Sequence, residues 1–86
     1  MFRFCIFPGY KWCGPGCSGP GAPINRVDAA CKMHDECYQY YGDKCYCDQV
    51  FIQQLRPLVN PYTVEGRHAD LIYGYMKLHT FFTCRF

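Results

Sequence analysis

Eight cysteines in 86 residues (Cys5, Cys13, Cys17, Cys31, Cys37, Cys45, Cys47 and Cys84) constrain this chain more than any other feature. A chain so short buries too little apolar surface to be secured by packing alone, so a covalent or metal staple is expected. Cysteine at this density reads as a disulfide framework, which implies a secreted location or another oxidising compartment. The competing reading is a thiolate–zinc protein of a reducing cell. It fits less well, because the spacings do not form two CxxC-type pairs. The length allows a single domain, 1–86.

Glycine and proline then divide the chain. Residues 1–11 are apolar and aromatic (Phe2, Phe4, Ile6, Phe7, Tyr10) around Pro8-Gly9 and read as an extended or irregular arm. Their aromatics are either core beneath the helices or surface in contact with lipid. WCGPGCSGPGAPIN, residues 12–25, holds four glycines and three prolines, so it is a shaped loop. A helix follows, with Asn25 as N-cap, Asp28 supporting the first turn and Gly42 as the stop. A second helix is expected over 44–56, with Cys47, Val50, Phe51 and Leu55 inward, closed by Pro57 and Asn60-Pro61. A third is expected over roughly 64–78, before an apolar tail from Thr80 to Phe86 that reads as extended. The fold class is therefore mainly α: two long antiparallel helices, a glycine-rich loop before the first, and a third, C-terminal helix.

The formal charge of +2, from nine basic and seven acidic residues, is too small and too scattered to argue for nucleic acid. It mildly favours an anionic lipid surface, where each Lys or Arg contributes roughly 1 kcal/mol. Seven Phe, eight Tyr and one Trp exceed what a domain this small can bury, so some aromatic surface is expected at an interface. No segment is long and apolar enough to span a membrane. The start, MFRFCIFPGY, lacks the apolar core of a signal peptide.

The tight turn at Gly42 makes the first two helices antiparallel, and this sets up a possible site. Cys37 and Cys47 are each five residues from Gly42, so a bond between them would lock the hairpin. His34 lies eight residues before the turn and Asp48 six after it, so they are level to within ~3 Å along the axis. A histidine oriented by a buried carboxylate can act as a general base toward water. Asp35 lies about 100° round the helix from His34, toward the glycine loop. A hard cation held there by carboxylate and backbone oxygens would polarise an ester carbonyl. Cys13 and Cys31 could tie the loop to the helix. Asp70 is the rival orienter for His34, while His68 and His79 lie in no motif and read as structural.

These residues resemble the secreted phospholipase A2 family. WCGPG (12–16) is similar to its calcium loop, DAACKMHDECY (28–38) to its active-site helix with the CxxHDxCY signature, and CYCD (45–48) to the start of its second long helix. The resemblance spans residues 12–51 and implies a set of roles. His34 would be the general base, Asp48 its orienter, and Tyr38 a partner of that aspartate. Asp35 would give Ca²⁺ two carboxylate oxygens, joined by the carbonyls of Trp12, Gly14 and Gly16. The Gly14 N–H would help to stabilise the oxyanion. The implied reaction is Ca²⁺-dependent hydrolysis of the sn-2 ester of a glycerophospholipid. The implied partner is a phospholipid membrane or micelle surface met by a monomer, without nucleic acid. The family pairing implies Cys13–Cys31, Cys37–Cys47 and Cys45–Cys84, with Cys5–Cys17 left by subtraction.

This chain also departs from the family. Its loop between Gly16 and Gly21 is longer by about two residues and contains Cys17. The turn at 42–44 leaves no room for a β-hairpin between the long helices, and Ala30 stands where a second cysteine is usual. No tyrosine obviously supplies a second partner for Asp48; Tyr62 and Tyr73 are the candidates. A non-catalytic, disulfide-rich binding or toxin-like module on the same scaffold is the alternative function. Retention of both His34 and Asp35 favours the enzyme.

Overall fold

The computed structural model describes residues 5–14 and 16–84; Phe2, Phe4, Pro15 and the last two residues of the tail lie outside them. Helix α1 covers Arg26–Tyr41, α2 covers Lys44–Leu55 with a 3₁₀ turn at Arg56–Leu58, and α3 covers Val64–Thr83. No strand occurs among the described residues.

Each helix starts on a side-chain cap. Asn25, in extended conformation, accepts the Asp28 N–H, Asp43 accepts that of Tyr46, and Thr63 accepts that of Gly66. Helix α1 stops where Gly42 turns left-handed at φ 70° and donates its N–H to the Tyr38 carbonyl. The link to α2 is then only Gly42 and Asp43, which forces the antiparallel hairpin. At the start of α3 a Cβ on Gly66 would lie 2.5 Å from the Asn60 carbonyl oxygen, so only glycine lets the connection pass this closely.

Val27 from α1, Phe51 and Leu55 from α2, and Ala69, Ile72 and Met76 from α3 form the core. Tyr10 is buried with them and Phe7 packs against them, so these two aromatics of the arm are core; Ile6 stays exposed. The four disulfides are Cys13–Cys31, Cys37–Cys47 and Cys45–Cys84, the pairs that the family resemblance implies, and Cys5–Cys17, the pair left by subtraction. Each stabilises a domain by about 2–4 kcal/mol, which a core this small needs.

One element differs from expectation. Helix α3 continues to Thr83, so residues 80–83 are helical rather than extended. No glycine or proline interrupts 75–83, and the Thr80 hydroxyl bonds back to the carbonyls of Met76 and Lys77. Cys84 then ties the helix end to Cys45 on α2. The aromatic, β-favouring character of the tail yields to this tether. No described helix is long and apolar enough to cross a membrane.

Candidate active site

Helix α1 carries His34 and Asp35 side by side, and its pitch sends them to different neighbours. His34 turns toward the hairpin partner. Its ring stacks on Phe51, with centroids 4.3 Å apart, and its Nε2 lies 2.7 Å from Asp48 Oδ1. Tyr38, one turn later, donates its hydroxyl to the same oxygen at 2.5 Å. The second oxygen, Oδ2, accepts the Thr83 hydroxyl at 2.9 Å and stands 3.5 Å from His79 Nε2. Asp48 is fully buried, so its oxygens need these donors in place of water.

A carboxylate only accepts hydrogen bonds, so the His34 proton sits on Nε2 and Nδ1 is left as the basic nitrogen. Burial holds the His34 pKa below the ordinary histidine value against the raising effect of Asp48, and His79 acts in the same direction as burial. The ring is therefore a neutral base at physiological pH. Burial, together with the bond to Asp48, pushes the Tyr38 phenol up, so it stays a donor.

Asp35 faces a different environment, built by the loop. The loop itself is organised by Asp28, which is fully buried and accepts three backbone N–H groups: Lys11 at 3.1 Å, Trp12 at 2.8 Å and Ile24 at 3.1 Å. Cys13–Cys31 ties this loop to α1 and Cys5–Cys17 ties it to the arm. Gly14 and Gly16 adopt positive φ, 127° and 71°, and shape the stretch beside Asp35. The Gly14 carbonyl accepts the Cys17 N–H at 3.0 Å.

Asp35 is bonded by Ser18, yet its Oδ2 is buried with no hydrogen-bond partner. Burial pushes its pKa up to about 6, with the charges of Asp28 and Glu36 adding to the effect. A buried carboxylate oxygen without a donor suits a hard cation, which takes oxygen ligands. Among the described residues no three His, Cys, Asp or Glu side chains are grouped to hold a metal. A cation at Asp35 would therefore rely on backbone carbonyls, and the oxygen chemistry of this corner fits Ca²⁺.

The two halves meet in one cavity of about 500 Å³, whose walls include Trp12, Gly14, His34, Asp35, Tyr38 and His79. Gly16 lies further round the loop. The rival orienter Asp70 is exposed on α3. Neither candidate tyrosine meets the second oxygen of Asp48: Tyr62 is exposed and Tyr73 packs against the core with Lys77 over its ring.

A model of the phospholipase A2-like domain matches residues 3–73. The chain belongs to the phospholipase A2-like domain family. It is 49% identical to the acidic phospholipase A2 homolog taipoxin gamma chain of Oxyuranus scutellatus scutellatus over 60 residues, 70% of this chain and 36% of that one. It is 47% identical to capsid protein VP1 of murine minute virus (prototype strain), and likewise to VP1 of feline panleukopenia virus; each match covers 63% of this chain and 9% of the capsid protein. The chain thus spans about a third of the toxin chain and under a tenth of the capsid proteins. No solved structure matches it.

Sequence reasoning missed four residues of this phospholipase A2-like site. Asp28 reads as a first-turn helix acid, but its side chain points back to hold the loop. Ser18 carries no motif. Thr83 and His79 reach Asp48 from 35 and 31 residues away. One signal existed for them: pairing Cys84 with Cys45 brings the end of α3 to the turn of α2 just before Asp48.

Proposed function

We propose that this domain hydrolyses the sn-2 ester of glycerophospholipids in a Ca²⁺-dependent reaction at a lipid surface, releasing a fatty acid and a lysophospholipid. The observation that carries the reading is the junction of two unlike groups in one cavity, the His34–Asp48 pair and the under-bonded Asp35. His34 Nδ1 takes a proton from water as the water attacks the ester, and Asp48 stabilises the imidazolium that forms. Tyr38 holds Asp48 in place by donating to its Oδ1. Asp35, with the carbonyls of Trp12, Gly14 and Gly16, would hold Ca²⁺. When bound, Ca²⁺ supplies positive charge beside the ester carbonyl. The Gly14 N–H is the nearby backbone donor for the developing oxyanion.

A lipid surface is supported by α3, whose Tyr75 walls the cavity while Tyr75, Leu78, Phe81 and Phe82 are all more than half exposed. The disulfides suit secretion or another oxidising compartment. Incubation with mixed phospholipid vesicles and identification of the released acid tests the proposal. Fatty acid from the sn-2 position with Ca²⁺, and none in excess EGTA, is the expected result. Persistent turnover in EGTA would sink the calcium mechanism. Ca²⁺ and vesicle binding without any released acid would make the domain a binding module.

A further inference from the structure

Asp48 is approached by two imidazoles, and the way its two oxygens are shared between them gives Thr83 a role that no motif announces. Oδ1 is committed to His34 and Tyr38, at 2.7 and 2.5 Å. Oδ2 has one close donor, the Thr83 hydroxyl at 2.9 Å, while His79 Nε2 stands at 3.5 Å, outside the usual range of about 2.7–3.2 Å. His79 and Thr83 sit one helical turn apart on α3, so both reach Oδ2 from the same wall. The torsion that turns a carboxylate about its Cβ–Cγ bond is soft and roughly two-fold. Nothing intrinsic to Asp48 therefore keeps it facing His34 rather than swinging to close the gap to His79. Tyr38 anchors Oδ1, and the Thr83 hydroxyl fixes the rotation about that anchor, because it occupies Oδ2 while the carboxylate lies in the plane that serves His34. The Cys45–Cys84 bond holds the next residue against α2.

We infer that Thr83 is a positioning residue that commits Asp48 to His34 in competition with His79. The consequence for turnover rests on the hydrolytic reading; the consequence for the His34 ring does not. In the wild-type protein His34 carries its proton on Nε2 alone, because Asp48 is always there to accept it. Without the threonine hydroxyl, Asp48 divides between two imidazoles and His34 samples both tautomers.

The test is ¹⁵N NMR of the histidine rings in the intact disulfide-bonded protein, alongside vesicle kinetics, for Thr83→Val and Thr83→Ser. Thr83→Val is expected to mix the His34 tautomers and to lower kcat by about tenfold, with KM within about twofold, as for a misplaced catalytic group. Thr83→Ser, which keeps the hydroxyl, should restore the single tautomer and most of kcat. Adding His79→Leu to Thr83→Val should return the single tautomer, since the competing donor is gone. If Thr83→Val does not form the Cys45–Cys84 bond, Thr83→Ala carries the same comparison. A single unchanged tautomer in Thr83→Val (or Ala), equal damage from Val and Ser, or mixing that persists in the double variant would each overturn the inference. So would a wild-type ring without a dominant Nε2–H form. Should the wild type release no fatty acid, the hydrolytic reading falls, while the tautomer pattern still decides the role of Thr83.

Discussion

The two sides of α1 present one carboxylate that is complete and one that is not. Asp48, on the hairpin side, is fully buried, and donors from both other helices, α1 and α3, reach its oxygens. Asp35, on the loop side, is bonded by Ser18 but keeps a buried oxygen with no donor. The difference teaches what each is built for. Asp48 is satisfied by the fold itself and serves by holding still. Asp35 is left short of partners by the fold, and a cation would complete it.

The contrast can be broken first at His34, where the largest effect is expected. His34→Gln removes the base while leaving Asp35 and the loop alone. Loss of hydrolysis by about 10²–10⁴-fold is expected. Calorimetric Ca²⁺ binding should stay within a few-fold of wild type, and loss of both together would show that the two sides are not separable.

Asp28→Ala attacks the loop side from beneath. It strips the acceptor from the N–H groups of Lys11, Trp12 and Ile24, at a cost of about 3 kcal/mol. Denaturant unfolding should register that loss, and Ca²⁺ affinity should fall more than tenfold. The His34 ring resonances should keep the wild-type pattern, since Asp28 touches nothing on the dyad side.

Asp35→Asn is the smallest and the most diagnostic change. Burial raises this carboxyl to about 6, so the calcium-free folded state binds the proton more tightly than the unfolded chain does. Its favourable contribution is present below the unfolded aspartate value and is lost as pH rises to about 6. The calcium-free variant should therefore be more stable than wild type at pH 7, by about 1 kcal/mol for a half-buried, partly screened group. The advantage should vanish near pH 4. Added Ca²⁺ should raise the melting temperature of the wild type only. A variant less stable than wild type at pH 7 would show that the Asp35 charge is already compensated.

Local geometry made most of the hairpin legible. Asn25 and Gly42 bracket α1 because capping and left-handed glycine are short-range properties. His34 and Asp48 are level because two helices joined by two residues have no other register. The end of α3 was not legible. Its aromatic composition favours a strand, and only the Cys45–Cys84 tether and the helix already under way decide otherwise. His79 shows the same limit: a histidine with no motif around it comes to rest beside the dyad carboxylate because α3 docks there.

The amino-acid sequence by itself determined the framework: a stapled helical hairpin with a glycine loop at its entrance, and His34 and Asp35 facing apart. Those features follow from helical pitch, turn chemistry and cysteine offsets, all of which act over a few residues. Only the tertiary structure decided which oxygens are satisfied. Thr83 completes Asp48 from 35 residues away, Asp28 turns inward to hold the loop, and Asp35 keeps a bare oxygen. These outcomes depend on how separate segments dock, and a hydrogen bond is made or missed within a few tenths of an ångström, which no spacing along the chain can specify.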